Sequence, residues 1–148
     1  MTGPVLSEEE VTSNIGRPLP GGTYTIEPWK AWLTHDAVLA PEDREVAHPI
    51  FVFLAATGGM GLSWDELFAW FGSSSADGPM FGDCQMEFIR PLLIGSTYQV
   101  SGVIESVVRK HGRRAGVFDL VNYLLELHDD EGQLVATCRN SLVLPRRD

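Results

Sequence analysis

Positive charge is scarce in this chain. Its 148 residues hold 11 lysines and arginines against 20 acids, a formal net charge of -9. A phosphate backbone would be repelled by that average field, so nonspecific nucleic-acid binding is excluded as the main activity. Cysteine is scarce as well. Neither of the two, Cys84 and Cys138, belongs to a CxxC pair or has a His or Cys at ligand spacing. A disulfide framework and a thiolate metal site are therefore not expected, and both cysteines read as reduced core thiols. No resident cofactor is called for. No apolar run is long enough to cross a bilayer. The N-terminal stretch carries Glu8, Glu9 and Glu10 where a signal peptide would need a basic start and an apolar run, so a cytoplasmic address without membrane contact is the expectation. Repeats and low-complexity tracts are absent.

What is present is a globular balance, 44% hydrophobic and 21% charged. A chain of this size can bury a core without staples. Residues 1–14 are polar and acidic and read as a flexible tail, leaving 15–148 as a single domain. Gly16 to Gly22, rich in glycine and proline, is a turn-rich entry. A short strand is predicted at Thr23 to Ile26, then a helix from Pro28 to about Leu39, stopped by Pro41. Trp29, Trp32, Leu33 and Asp36 share one side of that helix.

His48-Pro49 opens a second helix, Ile50 to Thr57, apolar on nearly every side and hence predicted to be buried, with a left-handed end at Gly58-Gly59. Ser63 and Glu66 form a capping box for a third, carrying Trp64, Leu67, Phe68 and Phe71 as its stripe up to Gly72. After a polar loop at Ser73 to Gly78 the pattern changes to strands. They are predicted at Met80 to Arg90, from Tyr98 to Val108, Phe118 to His128, and Leu134 to Leu144, joined by hairpin-like turns. Strands and helices are segregated, so the class is α+β with a mainly antiparallel sheet. A long sheet with one strongly apolar helix suggests a sheet curled around that helix, the hotdog arrangement. On pattern alone another helix-on-sheet sandwich stays open.

Several stretches carry a resemblance. Gly82-Asp83-Cys84-Gln85 leads into Glu87-Phe88-Ile89-Arg90-Pro91-Leu92 and Gly95. Arg109 to Gly116, Gly132 to Leu144, and the Ile15-Gly16-Arg17 opening continue the match. Together they resemble the MaoC-like dehydratases, and most of all their N-terminal dehydratase branch, over residues 15 to 146. The resemblance implies a hotdog fold and an acyl thioester, on coenzyme A or a carrier protein, as substrate. Active members add water across, or remove it from, a 2-enoyl or 3-hydroxyacyl thioester. They use an Asp and a His in the pattern Asp-x-Asn-Pro-x-His. One group must activate water and another must handle the proton at the alpha carbon. The thioester oxygen needs N–H donors, which a buried helix start would supply.

This sequence departs from that pattern. Asp36 stands where the motif would begin, but five residues on is Pro41, not histidine. Asp43 and His48 have the right spacing, with Glu45 and Val46 in place of Asn and Pro. His48, Asp36 and Asp43 are therefore the candidate catalytic residues. Asp83 is a candidate binding residue, as are Arg109, Lys110, Arg113 and Arg114, four of the 11 cations, which could meet the phosphates of the thioester carrier. Asp119 and Asn140 fall among inward-facing apolar residues. Three readings follow: an acyl-binding subunit that lacks the full motif and relies on a partner hotdog subunit, a self-sufficient hydratase or dehydratase, and a hotdog thioesterase. As a partner, the resemblance implies a second hotdog subunit, in a homodimer or heterodimer.

Overall fold

The computed structural model describes residues 5–146. Five antiparallel strands make one sheet in the order β1-β3-β4-β5-β2. They are β1 (Gly22–Thr25), β2 (Met80–Phe88), β3 (Thr97–Gly112), β4 (Gly116–His128) and β5 (Leu134–Arg146). The helices are α1 (Glu8–Thr12), α2 (Pro28–Ala37), α3 (Phe51–Gly59) and α4 (Trp64–Ala69). Val121, Tyr123, Leu125 and Leu127 alternate along β4 with no exposed surface, the period-two signature of a face turned to the core. Ile104 on β3 and Cys138 and Leu144 on β5 join them.

The greasy run is the central helix. α3 buries Phe51, Val52, Ala55, Ala56 and Gly59 and contacts β1, β3, β4 and β5. Full burial of Phe51 or Val52 contributes about 1.5–3 kcal/mol each. The expected left-handed end at Gly58-Gly59 is corrected. Both glycines lie inside the helix, where neighbours leave no room for a side chain. A Cβ on Gly58 would lie 2.6 Å from the Tyr24 ring, and one on Gly59 would meet Val100 Cγ2. The left-handed turn comes later, at Gly61 with φ +81°.

The N-terminal segment also departs from expectation. Residues Glu8–Thr12, placed in a flexible tail, form α1 under a Ser7/Glu10 capping box, and Val11 is fully buried. A single apolar residue in an acidic run gave no periodic signal. The capping box predicted for α4 is present: Ser63 Oγ accepts from the Glu66 N–H at 3.2 Å, and Glu66 Oε2 accepts from the Ser63 N–H at 2.7 Å. β2 ends at Phe88, two residues before the expected stop at Arg90. α2 also ends early, at Ala37.

Candidate functional site

α2 buries Ala31 and His35, which are four residues apart, and leaves Trp29, Trp32 and Leu33 largely exposed. It thereby sets the His35 ring edge-on to His48, with centroids 5.8 Å apart. His48 stands just before α3, at the wall of an apolar cleft of about 330 Å³. Val46, Ala47 and Pro49 flank it there, and the segment from Phe88 to Leu92 closes the other side. The Ala47 N–H donates to Leu92 O at 2.8 Å, which ties the two walls together.

The hydrogen bonds of His48 assign its tautomer. Nδ1 accepts from the Ile50 N–H at 3.1 Å. The neutral ring therefore carries its proton on Nε2, which has no partner among the described residues and is free to donate. Two further donors at the start of α3 are engaged: the Phe51 N–H goes to His48 O and the Val52 N–H to Pro49 O. Those two N–H groups are therefore not open to a thioester oxygen.

Asp43 Oδ1 accepts from the backbone N–H groups of Glu45 at 2.8 Å and Val46 at 2.9 Å. Those two bonds, with a smaller contribution from His35, hold its carboxyl below the usual range. Asp43 thus caps the loop that leads to His48. Asp36 is exposed on the last turn of α2. Among the described residues, neither carboxylate is hydrogen-bonded to His48. The i, i+5 spacing corresponds to a loop in this chain, and the loop turns Asp43 toward its own backbone.

Asp83 is committed elsewhere. Its Oδ1 accepts from Ser141 Oγ at 2.7 Å, and Ser141 Oγ accepts from the Asp83 N–H at 2.9 Å. The basic residues also separate. Arg109 is not on the free tip: it binds both carboxylate oxygens of Asp119, at 2.8 and 3.0 Å, and donates to Leu6 O. Arg146 meets the same carboxylate at 2.6 Å and donates to Phe71 O. Burial raises the Asp119 carboxyl, but the hydrogen bonds and charges of the two arginines together outweigh it and hold it low. Lys110, Arg113 and Arg114 remain exposed at the β3–β4 hairpin. They sit far from the cleft. On β5, Ala136 pairs with Phe88 at the cleft end, whereas Arg146 pairs with Val117 beside the hairpin. That separation is about 33 Å at roughly 3.3 Å per residue. Cleft and basic tip therefore occupy opposite ends of the sheet and do not form one site within a chain.

His35 was not singled out from the sequence. Its signal was the i, i+4 spacing from Ala31, which sets both on the inward side of α2. Its Nδ1 is buried without a partner among the described residues.

The architecture matches solved hotdog proteins. The C-terminally truncated HadBC (3R)-hydroxyacyl-ACP dehydratase complex of Mycobacterium tuberculosis aligns at TM-score 0.69 and 19% identity, over 88% of this chain and 96% of that one. The ChsH1–ChsH2 complex of the same organism aligns at 0.68 and 14%, over 95% and 90%. The unliganded R-hydratase PhaJ1 of Pseudomonas aeruginosa aligns at 0.57 and 13%, over 90% and 83%. No protein-family profile and no curated protein sequence matches the chain. The chain has the hotdog fold, which it shares with these solved proteins. No helix among the described residues is long and apolar enough to cross a membrane.

Proposed function

We propose that this chain is a MaoC-like, acyl-thioester-binding hotdog subunit. It seats the acyl group in the cleft between Val46–Pro49 and Phe88–Leu92, and a partner hotdog subunit supplies the acid–base pair for hydration or dehydration. The observation that carries this reading is the state of His48. It lines an apolar cleft, and among the described residues its Nε2 has no partner and no carboxylate is in hydrogen-bond contact with it. A general base must accept a proton from its substrate. A histidine whose Nδ1 is held by a backbone N–H presents a donor instead, suited to a thioester carbonyl oxygen.

The partner edge is β2. Among the described residues it pairs with β5 alone, so its other side offers unpaired backbone groups, the usual template for joining a second sheet. Met80, Phe81, Phe88 and Ile89 on and just after it are each at least 45% exposed, an apolar surface that a partner would cover. HadBC and ChsH1–ChsH2, which share the fold, are complexes of two subunits by name.

The test is to incubate purified protein with a 2-enoyl-CoA and follow enone absorbance, then repeat with hotdog subunits that carry Asp-x-Asn-Pro-x-His. The expected result is saturable binding without turnover alone, and turnover in the complex. Efficient hydration by the chain alone, abolished by His48→Ala, would overturn the proposal in favour of a self-sufficient enzyme.

A further inference from the structure

The chain's two cysteines, 54 positions apart in sequence, meet in the fold with their sulfurs 3.6 Å apart. They stand on neighbouring strands but not directly opposite each other: Cys84 pairs with Asn140, and Cys138 with Met86. Diagonal neighbours on one face are the more widely spaced cross-strand pairs, yet side chains directed toward each other still meet. The register of β2 against β5 shifts between Phe81 and Cys84, immediately before the first cysteine. Such an irregularity bends a strand and increases its twist.

The two thiols differ in environment. Cys138 is fully buried, and its S–H donates to Asn140 Oδ1 at 3.3 Å. Cys84 is half-buried and stands on β2, an edge strand. Cys84 is therefore the more accessible of the pair, and the Cys138 sulfur lies in contact with it.

We propose that Cys84 and Cys138 form an oxidative modification site that takes a hydroperoxide, here hydrogen peroxide, and closes to an intrachain disulfide. Cys84 sulfur, as thiolate, attacks one peroxide oxygen. An S–O bond forms, the O–O bond breaks, and the departing hydroxide takes up a proton as water. Cys138 sulfur then attacks the sulfenic sulfur of Cys84. The S–S bond forms, the S–O bond breaks, and hydroxide leaves with the Cys138 proton as a second water. Two thiols are oxidised and one peroxide is reduced to two waters. Closing the pair needs a net approach of the sulfurs of about 1.5 Å, with a shift of the edge strand toward β5. The product fastens β2, an edge held in the sheet only by β5, covalently to that neighbour. The assignment does not rest on the proposed acyl-binding role.

The experiment treats the full chain with hydrogen peroxide, blocks remaining thiols, and reads intact mass and non-reduced peptide maps. The expected product is a monomeric chain lighter by two hydrogen atoms, in which the peptides containing Cys84 and Cys138 are joined. Dithiothreitol should separate them. The oxidised protein should unfold at higher urea than the reduced form, a gain missing from Cys84→Ser treated in the same way. Accumulation of sulfinic or sulfonic acid on Cys84 without the linked peptides would overturn the proposal. So would disulfides only between chains, or two thiols that stay free at peroxide concentrations that oxidise glutathione. The mass and peptide readouts on wild-type protein are decisive even if Cys138→Ser does not fold.

Discussion

Replacing Asp119 with alanine should be among the most damaging single changes to the fold. Its carboxylate has no exposed surface and is gripped by Arg109 and Arg146, whose side chains are 14% and 5% exposed. The alanine variant leaves two guanidinium groups facing an apolar gap. Removing one partner from a buried ion cluster costs about 3–5 kcal/mol, a large share of the roughly 5–15 kcal/mol available to a domain. With a urea m-value of about 2 kcal/mol/M, the unfolding midpoint should fall by roughly 1.5–2.5 M, read by tryptophan fluorescence. Asp119→Asn keeps one acceptor oxygen and should lose less. The pH dependence has a definite sign. The folded carboxyl is held below its ordinary value, so its contribution is complete above the unfolded pKa of about 3.9. It is lost as pH falls through the lower folded value. The gap between wild type and Asp119→Asn should therefore narrow in acid. A midpoint loss of under about 0.5 M for Asp119→Ala would show that the cluster is solvated and that this reasoning is wrong.

Arg109→Ala should lower the unfolding midpoint while leaving the affinity for a 2-enoyl-CoA unchanged, because its guanidinium serves Asp119 and Leu6 and not the cleft; a selective loss of affinity would contradict this. His48→Ala should weaken acyl-thioester binding by about 2- to 12-fold, the equivalent of one hydrogen bond of about 0.5–1.5 kcal/mol, measurable by calorimetry. Asp43→Ala should reduce thermal stability through loss of the two backbone caps. In the partner complex it should leave the turnover number unaltered. Exchanging Glu105 and Arg139, half-exposed partners at 2.6 Å, should shift stability by less than about 1 kcal/mol, seen in urea melts.

The strands and the central helix were legible because their signals are local and periodic. Val121, Tyr123, Leu125 and Leu127 alternate, and the run from Ile50 to Ala56 is too apolar for anything but burial. The site was harder to read because its chemistry depends on which groups a side chain finds across space. Asp43 and His48 have a suggestive spacing, yet one caps a loop and the other is fixed by Ile50 N–H. Arg109 looked like part of a basic tip, but strand alternation turns its head inward to Asp119, whose own inward position was readable. α2 shows the opposite failure of pattern. Its aromatic side, Trp29, Trp32 and Leu33, faces outward, and the less conspicuous Ala31 and His35 face the body.

The most direct measurement is side-chain NMR of the four histidines during titration with a non-reactive thioether analogue of a 2-enoyl-CoA. The account predicts that the His48 ring signals shift first and furthest, with Nε2 protonated throughout, and that backbone signals from Val46 to Pro49 and from Phe88 to Leu92 move with them. Saturable binding that perturbs another surface and leaves His48 in place would contradict it, as would an ionised or Nδ1-protonated His48 in the complex.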